Sequence, residues 1–405
     1  VLDLQPSELD FAHAQNAGKG LLSLALMDAR NHTLRWLAAF ESALGPERLG
    51  TPVVDDPEQR SPLWLAGHVG WFQEYWIARN AQRARGERAD GALPRLPSVL
   101  GGADQLYERA NAPAPADLPD AQATRQYLAA TLETTLDLLD GSPETDAALY
   151  FYRVALFHED LQFEAFATLA QTIGVDTKLV ATAPTTAPRP PLLYPAARWR
   201  VGSAASGFVF DNEKPPHEVA IPEFEIDAQP VTWAEYGEFV EDGGYDEAAH
   251  WSAQGRDWLE RSGRRTPRHV DQMRHGVLQR RFGQLVRVPP NQPVVHVNAF
   301  EAEAWCRWAG RRLPTEVEWE AAARQGASRG FAFGAVWEWT ASTFRPYPGF
   351  VVAPYRGGAP AGFGRTRVLR GASFATRRRL LSPTFRNFQA PERDDGFFGF
   401  RSCAL

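Results

Sequence analysis

Phe157-His158-Glu159-Asp160-Leu161-Gln162-Phe163-Glu164 is the stretch on which the fold turns. Read as a helix, it sets His158 and Gln162 on one face, one turn apart. Helix bundles build metal sites from such inward-facing pairs together with a ligand from another helix. Glu164 lies roughly 200° round the wheel from Gln162 and is expected to anchor a neighbouring element or to support the ligands from behind.

Working outward, the first 175 residues read as helices. Leu21 to Leu44 carries Leu24, Leu34, Leu37 and Phe40 at helical spacing. Ser61-Pro62 opens a second helix, because a proline early in a helix loses no hydrogen bond. That helix runs through His68, Trp71, Phe72, Tyr75 and Trp76. Residues 80 to 118, rich in Gly, Pro, Ala and Arg, form a long connection. Ala121 to Leu139 follows an Asp120 N-cap. Asp146 to Ile173, stopped by Gly174, is the fourth helix. Four helices with one long crossover make a four-helix bundle.

The composition then changes. Ala181-Thr182-Ala183-Pro184-Thr185-Thr186-Ala187-Pro188-Arg189-Pro190-Pro191 suits neither helix nor sheet interior. The expected organisation is a bundle over 1–180, a Pro-rich linker over 181–198 and a second domain over 199–405. Short alternating stretches such as His217 to Ile221, many Gly and Pro turns, and helices over Thr232 to Glu241 and Ala299 to Ala309 give the second domain an irregular α+β design. The fold class is therefore α plus α+β.

The 405 residues exceed what one core holds. A net charge of −6 provides no basic footprint for nucleic acid. No apolar run approaches the roughly 20 residues of a membrane helix. Val1 to Pro6 lacks the charged and apolar regions of a signal peptide. The two cysteines, Cys306 and Cys403, form no disulfide framework, and the cytoplasm is the expected compartment. The 13 Trp and 24 Phe are a high aromatic load, read as packing or as the lining of a pocket for a cationic ligand. Arg83, Arg85, Arg88 and Arg95 in the crossover are read mainly as a solvated face.

His68 and His158 sit mid-helix on the second and fourth helices, both able to face the bundle interior. Imidazole suits Fe, Zn, Cu and Ni alike, so the pair does not name its metal. The Gln162 amide is a weaker, neutral donor; it either binds a metal-held water or serves as a third ligand through its oxygen.

His68 followed by His158-x-x-x-Gln162-x-Glu164 resembles the DinB-like bundle of ergothioneine-type sulfoxide synthases, in which the fourth helix carries His-x-x-x-His-x-Glu. Pro293-Val294-Val295-His296-Val297-Asn298, Ala304-Trp305-Cys306-Arg307-Trp308-Ala309-Gly310-Arg311-Arg312-Leu313-Pro314-Thr315-Glu316, Val336-Trp337-Glu338-Trp339-Thr340, Leu369-Arg370-Gly371-Ala372-Ser373-Phe374 and Gly399-Phe400-Arg401 resemble the formylglycine-generating-enzyme-type domain, a C-type-lectin-like fold. Formylglycine generation needs a cysteine pair that binds copper, which Cys306 and Cys403 are not expected to form.

The bundle followed by this domain implies a non-haem Fe(II) enzyme that uses O2 to join hercynine, the trimethylated betaine of histidine, to a chalcogen donor. The resemblance implies His68, His158 and Gln162 as the metal set. It lays Arg386-Asn387-Phe388-Gln389 on a family substrate-binding segment of pattern Arg-Asn-aromatic-Asp, so Asn387 inherits a contact with hercynine, and Phe388 is a candidate face for its trimethylammonium. Family members with an amino-acid thiol donor carry Asp where Gln389 stands, and a tyrosine where the best placement here is Val352, three residues before Tyr355, which is itself a substrate-binding candidate with Arg386. These departures resemble the selenoneine-forming branch, in which hercynine receives selenium from a selenosugar. The alternatives are a sulfoxide synthase with a thiol donor and a betaine-binding protein without catalysis. The site is expected between the two domains, with His68, His158 and Gln162 opposite Asn387 and Gln389.

Overall fold

The computed structural model describes residues 9–52, 59–108, 113–204, 206–355 and 359–405; the stretch Val1 to Pro6 lies outside them. The N-terminal part comprises α1 (Phe11–Gln15), α2 (Lys19–Leu44), α3 (Pro62–Trp76), α4 (Ala103–Tyr107), α5 (Ala121–Asp140) and α6 (Asp146–Ile173). The four long helices form the bundle. Their ends follow local chemistry. Ser61 accepts from the Trp64 N–H ahead of Pro62, and Asp120 accepts from that of Ala123. Gly174 closes α6 in the left-handed conformation that glycine adopts at least cost. The crossover is less plain than its composition suggests, because it carries α4.

Every residue of α3 except Tyr75 is buried, as expected of a helix apolar all round. It packs between α5, α6 and α4. Gly67 allows α4 to come close: a Cβ there would stand 2.2 Å from the Tyr107 ring. Inside the bundle, Arg30 donates to Glu159 (3.1 Å) and Gln73 (2.7 Å), and Thr33 donates to Glu159 (2.6 Å). A buried charge is tolerable only when satisfied in this way, so the network sets the rotation of α6 against α2 and α3.

The C-terminal part contains β1 (Leu192–Tyr194), β2 (Ala197–Val201), β3 (His217–Ile221), β4 (Phe224–Ile226), α7 (Trp233–Glu241), α8 (Ala253–Ser262), β5 (Val270–Gln272), β6 (Val277–Arg281), β7 (Gln284–Val288), α9 (Ala299–Trp308), β8 (Arg311–Arg312), α10 (Glu316–Gly326), β9 (Trp337–Thr343), β10 (Arg367–Arg370), β11 (Asn387–Gln389), β12 (Phe398–Phe400) and β13 (Cys403–Ala404). Two four-stranded sheets run β1-β4-β13-β8 and β11-β10-β9-β12; β2 pairs with β3 in a two-stranded sheet, and β5, β6 and β7 form a three-stranded one. α7, α9 and α10 each begin with a capping box, at Thr232, Asn298 and Thr315. The linker expected over 181–198 is shorter than its composition suggests: Leu192 to Tyr194 pairs with β4, and β2 begins at Ala197.

The two parts share one continuous apolar cluster, from Leu9 to Phe400. α6 is the element that joins them. Phe157 packs on Phe208 at 5.0 Å, and Asp160 takes a two-pronged contact from Arg379 (2.7 and 2.8 Å). Gln171 bonds the backbone of Arg280 and Phe282. Among the described residues, no helix is long and apolar enough to cross a membrane.

Candidate metal and substrate site

α6 uses its faces for different tasks. Phe157, Asp160 and Glu164 turn to the C-terminal part, while Glu159 turns to Arg30 in the bundle. His158 and Gln162 fall between these directions by the 100° step of the helix, at the margin of the interface.

His68 and His158 come together across the α3–α6 contact, with their Nε2 atoms 3.2 Å apart. A carbonyl can only accept, so His68 Nδ1 must carry the proton that it donates to the Tyr107 carbonyl at 2.8 Å. In the neutral ring this leaves the His68 Nε2 lone pair facing His158, the arrangement in which a backbone carbonyl orients a metal-binding imidazole. Two imidazole nitrogens this close could both be held by one transition-metal ion. Stacking holds both rings: His158 lies on Phe72 (3.5 Å between centroids, 9°) and His68 on Trp64 (4.6 Å, 11°).

Among the described residues, no group of three His, Cys, Asp or Glu side chains is placed to hold an ion. Gln162 is therefore the notable neighbour. The residue is largely buried, one turn along from His158, and its amide makes no hydrogen bond to a described residue. An amide oxygen without a protein partner is able to bind a metal, or a water held by one. The donor set thus fits a divalent transition metal. Glu164 anchors the second domain: it accepts from Trp337 Nε1 (2.7 Å), Ser373 Oγ (2.8 Å) and Thr376 Oγ1 (2.8 Å). Burial raises its carboxyl pKa, and the three donors restrain the rise.

β11 divides its residues by the two-residue period of a strand. Asn387 and Gln389 share one face. The Asn387 oxygen accepts from the Phe388 N–H (2.8 Å), so its NH2 is left without an acceptor among the described residues. The Gln389 oxygen accepts from Arg393 (2.8 Å). Phe388 points the other way, stacked on Phe344 at 4.2 Å and packed near Phe363 and Val368. Its ring, expected to face a trimethylammonium, is half-buried and has Phe344 on one side. Arg386, on the same side as Phe388, is also structural: it grips Glu316 (2.8 and 3.0 Å), donates to the carbonyls of Asn212 and Arg345, and lies over Tyr347 at 3.9 Å.

Tyr355 sits in the aromatic layer between the domains, 6.3 Å from Phe208 and 6.5 Å from Tyr150, and its hydroxyl has no hydrogen-bond partner among the described residues. Burial drives its phenol pKa upward. Val352 is exposed on the preceding loop. Arg95 departs from the solvated face expected of the crossover arginines, lying over Tyr75 (4.7 Å) and Trp76 (4.5 Å). Cys306 and Cys403 are buried free thiols, and burial raises the pKa of both.

The sequence reading missed the Tyr107 carbonyl, because a backbone acceptor has no residue signature. It also missed Arg393 and Asp395. A charged pair a few residues after the Arg386 to Gln389 segment was the available signal.

Residues 2–170 match the DinB superfamily, and residues 179–334 and 331–404 match the sulfatase-modifying factor enzyme 1-like domain. The chain is 33% identical to the hercynine oxygenase of Mycolicibacterium thermoresistibile, with 94% of each chain covered. It is 34% identical to the hercynine oxygenase of Mycolicibacterium smegmatis, covering 90% of this chain and 97% of that one. A shorter likeness, 28% identical and covering 52% of this chain, is to the formylglycine-generating enzyme of Streptomyces coelicolor.

Proposed function

The chain belongs to the hercynine oxygenase family, the ergothioneine-type sulfoxide synthases, and we propose that it couples hercynine to a selenosugar in an Fe(II)- and O2-dependent oxidation. A carbon–selenium bond replaces the C–H bond of the hercynine imidazole and the Se–H bond of the selenosugar, and the two electrons and two protons released pass to O2.

Fe(II) held by His68, His158 and Gln162 would supply the redox chemistry and gather the reactants at one centre. The chain's own residues do the rest. The Tyr107 carbonyl keeps the His68 Nδ1 proton in place and so keeps Nε2 available for the metal. The free NH2 of Asn387 is a donor suited to the carboxylate of hercynine. Gln389, on the same face of β11, is the donor-side contact.

The observation that carries the selenosugar reading is the pairing of Gln389 with Arg393. An amino-acid thiol brings an ammonium that needs a carboxylate. Here that position holds a neutral amide whose oxygen is already engaged, with a guanidinium beside it. A sugar has no ammonium to satisfy.

The test is O2 consumption by iron-loaded protein given hercynine with a selenosugar, cysteine or glutamylcysteine. The selenosugar should support the fastest uptake. Preference for glutamylcysteine overturns the donor assignment, and no uptake with any donor overturns the catalytic reading in favour of a betaine-binding protein.

A further inference from the structure

A glutamine amide on its own can face a pocket with either its oxygen or its NH2 group. At Gln389 the choice is made by chemistry. Arginine has five N–H donors and no acceptor, so the atom that Arg393 Nη1 meets at 2.8 Å must be the oxygen. The Gln389 NH2 is left pointing elsewhere, and no described residue accepts from it.

Arg393 is itself held. Its Nε and Nη2 grip the two oxygens of Asp395 at 2.7 and 3.0 Å. Asp395 accepts in turn from the Gln59 side chain at 3.0 Å, and Gln59 lies three residues before α3, the helix that carries His68. Burial alone would raise the Asp395 carboxyl pKa, but the Arg393 contacts outweigh it and hold the group ionised. The chain Gln389–Arg393–Asp395–Gln59 thus joins the substrate-facing strand to the metal-bearing bundle.

We propose that Arg393 is a positioning residue that sets donor specificity, by locking the Gln389 amide so that the subsite presents N–H donors and no acceptor. Such a subsite takes an oxygen-rich partner, such as sugar hydroxyl and ring oxygens, and rejects an ammonium. The inference rests on the proposed function and names how that site chooses its second substrate.

The experiment uses the full chain, loaded anaerobically with Fe(II) and hercynine. Titration calorimetry measures its affinity for two probes, 1-thioglucose and cysteine, in the wild type, Arg393→Met and Arg393→Lys. The Arg393 side chain is 26% exposed, so both variants should fold. If one does not, Asp395→Asn loosens the same lock from behind. Freed from Arg393, the Gln389 amide can turn its oxygen outward. Arg393→Met should then weaken 1-thioglucose about tenfold relative to cysteine, with hercynine affinity within about twofold of wild type. Arg393→Lys, which keeps the charge without the fork, should restore part of the preference. The donor reading fails in the wild type, if cysteine binds more tightly than 1-thioglucose. The positioning inference fails in the ratio between variant and wild type, if Arg393→Met shifts both probes equally or neither. Binding of neither probe to the wild type overturns both.

Discussion

His68 and His158 are 90 residues apart in the chain, yet their Nε2 atoms approach to 3.2 Å. The approach depends on three supports: the Tyr107 carbonyl behind His68, the Phe72 ring under His158, and the Arg30–Glu159 pair that fixes the turn of α6. Replacing either histidine with alanine should abolish stoichiometric iron binding while the bundle stays folded. Metal analysis beside circular dichroism checks this.

Gln162 should be a ligand or hold a metal-bound water. Gln162→Ala is expected to lower iron affinity by about 10-fold or more, as loss of supporting ligands does. Gln162→His should preserve or raise it. Unchanged affinity and turnover in both variants would place the amide outside the metal's reach.

Gly67→Ala tests the support behind His68. The new methyl would meet the Tyr107 ring at 2.2 Å, and overpacking of this kind costs about 1–3 kcal/mol. The shift of Tyr107 should also loosen its carbonyl from His68, so iron affinity falls along with the midpoint of thermal unfolding. A loss of stability with iron affinity intact would deny the carbonyl its orienting role.

Arg379→Met tests the joint between domains. Asp160 is fully buried beneath Arg379, and Asp28 lies against it as well. Breaking a buried pair costs about 3–5 kcal/mol, and the longer contact of Arg377 with Asp160 (3.7 Å) offsets only part of it. Denaturant unfolding should show that loss, and Asp160→Asn in the same chain should recover part of it.

Stability should pass through a maximum in pH. His32 and His269 are each lowered to about 4, first by burial and then by nearby arginines. Their unfolded forms take up protons first, so the stability present above pH 6.5 is lost as pH falls towards 4. Burial raises Glu213 to about 7. Its contribution runs the other way: it is complete below pH 4.5 and lost as pH rises through 7. Burial raises Glu301 to about 8 and gives it a decline of the same sign, so Glu213→Gln should lessen the alkaline decline and leave the acid one. Thermal midpoints between pH 4 and 9 measure both limbs.

Much of the bundle was legible because its signals are local. Ser61, Asp120 and Gly174 mark helix ends through contacts within one turn. The spacing of His158 and Gln162 decides their shared face by helix geometry alone. The second domain was legible mainly through its motifs, since strands of two to seven residues carry little periodicity of their own. α8 and α10 escaped notice, and part of the expected linker proved to be strand.

Strand β11 shows where local reading stops. Arg386-Asn387-Phe388-Gln389 is four adjacent residues, and alternation already separates Phe388 from its neighbours. Which pair faces inward is decided by Glu316 and Phe344, which claim Arg386 and Phe388 for the core. The sequence by itself determined the helices, their caps, the two-part order and the residues worth watching, because those depend on neighbours in the chain. Only the tertiary structure decided that His68 meets His158, that Phe388 turns away, and that Arg393 holds Gln389 while Asp395 reaches back to Gln59. Burial, charge pairing and the satisfaction of each buried polar group are set by partners that pattern and spacing alone do not identify.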